Sequence, residues 1–140
     1  MNVKIVELMT KSVVTAEPHQ SIEHVRSMLG KNAISALPIV DGENHPIGII
    51  SSTDLAHDLK PAAPISSIMT DKVYTVPQYD DVSIAARVMR NHKIHHIVVT
   101  HEKVVVGILS AFDLLKLVED HRFVAKNAPT KSKRRGSKYS

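Results

Sequence analysis

The chain contains no cysteine and no tryptophan, and only two phenylalanines and three tyrosines in 140 residues. Without cysteine there is no disulfide framework, thiolate metal site, iron–sulfur cluster or cysteine nucleophile. Long apolar runs are absent as well. The longest span a few residues, against the roughly 20 that a membrane helix needs. Met1 to Thr10 lacks the basic start and apolar stretch of a secretory signal, which points to a cytoplasmic protein with no membrane contact. No glycine-rich loop ends in Gly-Lys-Ser/Thr, no serine sits between the spaced glycines of a nucleophile elbow, and no carboxylates pair for acid–base work. The expected class is therefore a binding module, not an enzyme.

What is present is ordinary globular material, 43% apolar and 23% charged, with an uneven charge distribution. Between His121 and Ser140 there are seven cations (Arg122, Lys126, Lys131, Lys133, Arg134, Arg135, Lys138) and no carboxylate. The remaining body carries 11 Lys and Arg against all 14 Asp and Glu. The basic character therefore belongs to the C-terminal segment and not to the fold.

An internal repeat organises the body. Leu8-Met9-Thr10 returns as Ile68-Met69-Thr70, and Val13-Val14-Thr15 as Val73-Tyr74-Thr75, both 60 residues on. Ile34-Ser35-Ala36-Leu37-Pro38-Ile39-Val40 returns as Ile94-His95-His96-Ile97-Val98-Val99-Thr100. Gly48-Ile49-Ile50-Ser51-Ser52-Thr53-Asp54-Leu55 returns as Gly107-Ile108-Leu109-Ser110-Ala111-Phe112-Asp113-Leu114 at a spacing of 59, so one residue is lost in the intervening turn.

Each unit reads strand–helix–strand–strand–helix. Val13–Thr15 and Val73–Val76 are short β-branched runs closed by Pro18 and Pro77. Ile22, Val25, Met28 and Leu29, and again Val82, Ala85, Ala86 and Met89, keep helical spacing. Strands Leu37–Val40 and Ile47–Ile50 flank the turn dipeptide Asp41-Gly42, and strands Ile97–Val99 and Val104–Leu109 flank His101-Glu102-Lys103. Final helices are expected over Asp54–Leu59 and Asp113–His121. The expected layout is repeat 1 over residues 1–59, a Pro-rich connector over 60–64, repeat 2 over 65–124 and a basic, disordered tail over 125–140. One unit of this size buries too little surface to be comfortable alone, so two packed sheet against sheet should share an apolar core. Met9, Met28, Met69 and Met89 serve as filling for that core.

The chemically informative block is Gly-x-x-Ser-x-x-Asp. A helix starting just after Ser51 or Ser110 puts that serine at the N-cap and Asp54 or Asp113 at the third helical position. This spacing makes a capping box, which needs no ligand. The same geometry also suits a phosphorylated sugar. The helix start offers free N–H groups to phosphate, the serine adds a hydroxyl, and the carboxylate has two acceptor oxygens for a vicinal ribose diol. Both readings stand on the spacing alone.

With these blocks the unit resembles the cystathionine β-synthase (CBS) domain, and the pair resembles a Bateman module. The likeness covers Val3 to Arg122 and rests on the Met-Thr entry, the Ala36-to-Asp41 strand and turn, and the two Gly-x-x-Ser-x-x-Asp blocks. The resemblance implies an α+β fold of two β-α-β-β-α repeats packed with pseudo-twofold symmetry around a shared core. It also implies two clefts for adenosine nucleotides such as AMP, ADP or ATP, with no other cofactor, and a regulatory role toward an unknown partner. In one cleft Asp113 corresponds to the ribose-binding carboxylate, Ser110 to the sugar–phosphate hydroxyl and His95 to a phosphate-facing position, with Thr10, Thr15 and Ile34 supplied by repeat 1. The other cleft exchanges the roles: Asp54, Ser51 and Ser35, with Thr70, Thr75 and Ile94 from repeat 2. Because Ser35 is neutral where His95 can be cationic, the Asp113 cleft is expected to be the stronger. Many nucleotide-binding pairs place a cation just before the Asp. Here Ser52-Thr53 and Ala111-Phe112 stand there, so phosphate charge falls to His95, His96, Lys93, Lys11 or Lys72, and AMP is favoured over ATP. Exposed amphipathic helix faces, together with the resemblance, imply a homodimer; without a ligand the pair would serve as a dimerisation module.

Two other features bear on function. Four histidines (His92, His95, His96, His101) cluster near one strand, but adjacent strand residues point to opposite faces. A metal site is therefore not expected; His95 is read as facing phosphate and His96 as a surface residue. The segment Lys131 to Tyr139 is either a solvated tail or an arm making weak, salt-sensitive contact with RNA or an acidic surface.

Overall fold

The computed structural model describes residues 2–120; the segment expected to form a basic disordered tail, 125–140, lies outside them. In chain order the elements are α1 (Ile5–Leu8), α2 (Ile22–Lys31), β1 (Ala36–Val40), β2 (Pro46–Ser51), a short 3-10 turn (Ile65–Ser67), β3 (Thr75–Pro77), α3 (Val82–His92), β4 (His96–His101), β5 (Val104–Ser110) and α4 (Ala111–Asp120). The α2 helix starts where Ser21 Oγ accepts the His24 N–H at 3.0 Å, and it buries Ile22, Val25 and Leu29. The α3 helix starts where the Asp81 carboxylate accepts the Ser83 N–H at 2.9 Å; it buries Val82, Ala85 and Met89 and stops at Lys93 with φ 55°.

Each repeat contains one antiparallel hairpin, β1–β2 and β4–β5, and both carry a register shift at the matching place, after Ile39 and after Val99. The hairpin tips differ. In repeat 2, Glu102 and Lys103 both take positive φ (51° and 70°), a two-residue turn whose twist matches the strands. In repeat 1 the link runs over 41–45. Asp41 Oδ1 accepts the N–H groups of Glu43 and His45, both at 2.9 Å. The left-handed residue there is Asn44 (φ 65°), outside the Asp41-Gly42 dipeptide that marked the turn. Asn44 is held from the other repeat, its side chain donating to the Val105 carbonyl at 3.1 Å and its own carbonyl accepting the Val105 N–H at 3.0 Å.

Two expected elements are not formed. The strand over Val13–Thr15 shrinks to a single parallel bridge, Ala16 to Ile39. In repeat 2 the matching β3 pairs with β4 over three residues, and Val98 N–H donates to Tyr74 O at 3.3 Å. Pro38 occupies the place of Val98 in repeat 1 and has no N–H to donate, so the ladder cannot extend. The helix over Asp54–Leu59 is replaced by successive three-residue turns closed by the Asp54, Leu55 and Ala56 N–H groups. The Leu55 carbonyl that a helix would use accepts from Arg26 Nη2 at 2.9 Å instead, and Pro61 disfavours helix at the residue before it.

The two sequence repeats exchange their leading segments. Ile5 and Met9 are buried with Val76, Val82, Met89, Ile97 and Leu109 of repeat 2. Reciprocally, Ile65 is buried with Ile22, Val25, Leu37 and Ile50 of repeat 1, with Ile68 and Met69 packed against them. Backbone bonds mirror this exchange: Val82 N–H to Val3 O at 2.8 Å and Ile22 N–H to Ala63 O at 2.9 Å. Between the two clusters a small valine seam (Val40, Val98, Val105, flanked by Val13, Ile49 and Val73) joins the repeats into a shared core. Met9 lies against Gly107 and Met69 against Gly48 so closely that a Cβ at either glycine would collide with the thioether.

Candidate functional site

The exchanged segments create two clefts. Thr10 pairs with Ile108 on the free edge of β5, and Thr70 pairs with Ile49 on the free edge of β2. Each places a threonine from one repeat beside the Ser-x-x-Asp turn of the other. The cleft at Asp113 measures about 650 Å³ and that at Asp54 about 480 Å³, both in the size range of small-molecule sites.

The Asp113 cleft brings together Thr10, Ile34, His95, Ser110 and Asp113, along with Ile108, Phe112 and Leu115. The Asp54 cleft brings together Ser35, Ser51, Asp54, Thr70 and Ile94, along with Ser52, Thr53, Lys72 and Tyr74. Thr15 and Thr75 line neither cleft. Thr75 opens β3 in register with Val98, so the chain has left the cleft and joined the sheet by that point. Lys72 and Tyr74, three and one residues earlier, make the contact instead. Tyr74 could have been singled out as the aromatic that replaces Val14 of the first copy.

Both carboxylates close the reciprocal Ser-x-x-Asp cap that the spacing allowed, Asp113 at the start of α4 and Asp54 on a turn that no helix follows. Asp113 Oδ2 accepts the Ser110 N–H at 2.9 Å and Ser110 Oγ accepts the Asp113 N–H at 3.0 Å, at the start of α4. Asp54 Oδ2 accepts both the Ser51 N–H (2.9 Å) and the Ser51 hydroxyl (3.0 Å). Capping uses Oδ2 in each case. Among the described residues Oδ1 of Asp54 takes no hydrogen bond, and Oδ1 of Asp113 has only Lys116 Nζ at 3.9 Å. Each carboxylate thus keeps an oxygen for a hydroxyl donor while its position is fixed by the cap. Capping and ligand binding are compatible here, not alternatives.

His96 is not a surface residue. It is half-buried, and its Nε2 lies 3.2 Å from Ser35 Oγ, bridging the two repeats. His95 sits in the bend before β4, so the alternation of strand side chains does not apply to the pair, and both line both clefts. Ser35 does so too, which removes the expected reason for the Asp113 cleft to be the stronger. Burial holds the His96 pKa below its ordinary 6.5, and the neighbouring His95 acts in the same direction; Asp113 opposes them. His96 is therefore neutral near pH 7. Among the described residues no three His, Asp or Glu side chains come together in a metal-binding arrangement, and no helix is long and apolar enough to cross a membrane.

Comparison with known proteins gives this arrangement a context. Inosine-5′-monophosphate dehydrogenase of Halobacterium salinarum is 33% identical over 109 residues, covering 76% of this chain. L-aspartate semialdehyde sulfurtransferase of Methanocaldococcus jannaschii is 34% identical over 113 residues, covering 79%. The chain spans only 22% of the length of each. Among solved structures, a CBS domain pair in complex with 5′-methylthioadenosine and S-adenosyl-L-methionine superposes with a TM-score of 0.78 at 31% identity, covering 84% of this chain and 96% of that one. A CBS domain protein from Pyrobaculum aerophilum complexed with AMP gives 0.74 at 28% identity, covering 84% and 99%. The family model for the CBS domain matches twice, over residues 5–60 and 65–120. Two matches covering nearly all of the described residues, on a fold whose halves trade their leading segments, place this chain in the CBS domain family as a tandem pair.

Proposed function

We propose that this CBS pair is a regulatory module without an active site of its own, binding an adenosine nucleotide in one or both clefts. The observation that carries the reading is the construction of each cleft: a capped carboxylate with an available oxygen from one repeat faces a threonine from the other. A ribose diol on the carboxylate would bond to one repeat while the rest of the ligand meets the opposite one. Binding then ties the repeats together and favours one relative arrangement, and a partner can read that shift. Similar pairs complexed with AMP and with 5′-methylthioadenosine and S-adenosyl-L-methionine support an adenosine ligand. The sparse cationic lining favours AMP over ATP.

Thermal unfolding with AMP, ADP, ATP, S-adenosylmethionine and GTP tests this. An adenosine ligand should raise the midpoint by mass action, and Asp54→Ala together with Asp113→Ala should remove the rise. No response to any of the five sinks the proposal. A homodimer is the second element of the reading. Leu115 and Val118 lie 55% and 57% exposed on α4, an apolar pair suited to a second copy. Sedimentation of the wild type and of Leu115→Ser/Val118→Ser should show a dimer converted to monomer.

A further inference from the structure

The two clefts are built on one plan but lined by different side chains, and at the matched positions the polar members gather in one of them. At matched positions of the repeat, Lys72 replaces Ser12 and Tyr74 replaces Val14, while Ser52 and Thr53 face Ala111 and Phe112. The Asp54 cleft receives the polar member of each pair: Lys72, Tyr74, Ser52 and Thr53 all line it. The Asp113 cleft receives Ala111 and Phe112. Lys72 does not hang freely. Its Nζ lies over the Tyr74 ring, 5.6 Å from the centroid, and that ring stacks on His92 at 4.0 Å with planes 24° apart. The aromatic pair holds the ammonium at the cleft wall. The lysine nearest the other carboxylate, Lys116, stands 3.9 Å from Asp113 Oδ1 and is directed at the acid, not at a ligand phosphate.

Resting on the nucleotide reading above, we infer that the clefts divide two ligand classes: the Asp54 cleft takes a nucleoside monophosphate, with Lys72 and the Ser52–Thr53 hydroxyls on the phosphate, and the Asp113 cleft takes a nucleoside carrying an uncharged, apolar 5′ substituent against Phe112. Both keep the ribose on a carboxylate. The pair then reports on two metabolites and not on two copies of one.

Titration calorimetry of the full chain with AMP and with 5′-methylthioadenosine separates the cases. AMP should bind once per chain. Lys72→Met should weaken it about ten- to a hundredfold, the effect of losing one charge-assisted contact, and Asp54→Asn should weaken it too. 5′-Methylthioadenosine should be insensitive to Lys72→Met and lost in Asp113→Asn. Lys72 is exposed, so its variant tests binding without disturbing the core. AMP binding that survives Lys72→Met and Asp54→Asn but disappears in Asp113→Asn overturns the division while leaving the nucleotide reading intact. Heat from neither compound overturns both.

Discussion

Ile5 belongs by sequence to the first repeat, yet it is fully buried among side chains of the second. Replacing it with alanine deletes three carbons from that cluster. At about 0.8 kcal/mol per buried carbon the transfer loss is about 2.4 kcal/mol, and the incompletely collapsed cavity brings the total to about 3–4 kcal/mol. That is a large share of the roughly 5–15 kcal/mol that holds a domain of this size. The assay should resolve where stability is lost and not only how much. Native-state hydrogen exchange read by mass spectrometry should show amides over 82–110 exchanging on the order of a hundredfold faster in Ile5→Ala, with 22–50 much less affected. Ile65→Ala, also at a fully buried position but within the repeat 1 cluster, should give the converse pattern. If Ile5→Ala instead accelerates 22–50 and spares 82–110, the exchange of leading segments is wrong.

Further outcomes follow from the same contacts. Gly107→Ala should cost about 1–3 kcal/mol in urea unfolding by forcing Met9 aside, and the cost should shrink when Met9→Ala is also present, a coupling read from the double-mutant cycle. Ser110→Ala removes the acceptor of the Asp113 N–H and should lower stability by about 1 kcal/mol. Because the folded pKa of His96 lies below 6.5, the unfolded chain binds more protons in the window between the two values. Stability should therefore fall as pH drops from 6.5 through the folded pKa, and His96→Gln should flatten that fall in pH-dependent urea midpoints. An unchanged pH slope in the variant contradicts the burial of His96.

Local patterns in the sequence were sufficient for the hairpins, the α2 and α3 helices and the Ser-x-x-Asp turns, because each rests on contacts within a few residues: Ser21 with His24, Asp81 with Ser83, Ser110 with Asp113. Three features depend on partners far along the chain. Leu55 spends its carbonyl on Arg26, 29 residues away, and the expected helix is absent. Ala16 meets Pro38, which cannot extend a ladder. Asn44 adopts its left-handed turn against Val105, 61 residues on. The site followed the same rule. The residues carried by the repeated block were placed by spacing. The entrance at Lys72 and Tyr74 depended on where β3 begins, and the inward position of His96 on a bend that breaks strand alternation.

The most direct test of the account is a crystal structure of the wild-type chain grown with AMP. The account predicts a nucleotide whose ribose hydroxyls lie within hydrogen-bond distance of Asp54 or Asp113 while the Ser51 or Ser110 cap stays closed. Both clefts filled by the protein's own side chains, or a nucleotide bound away from both carboxylates, would contradict it.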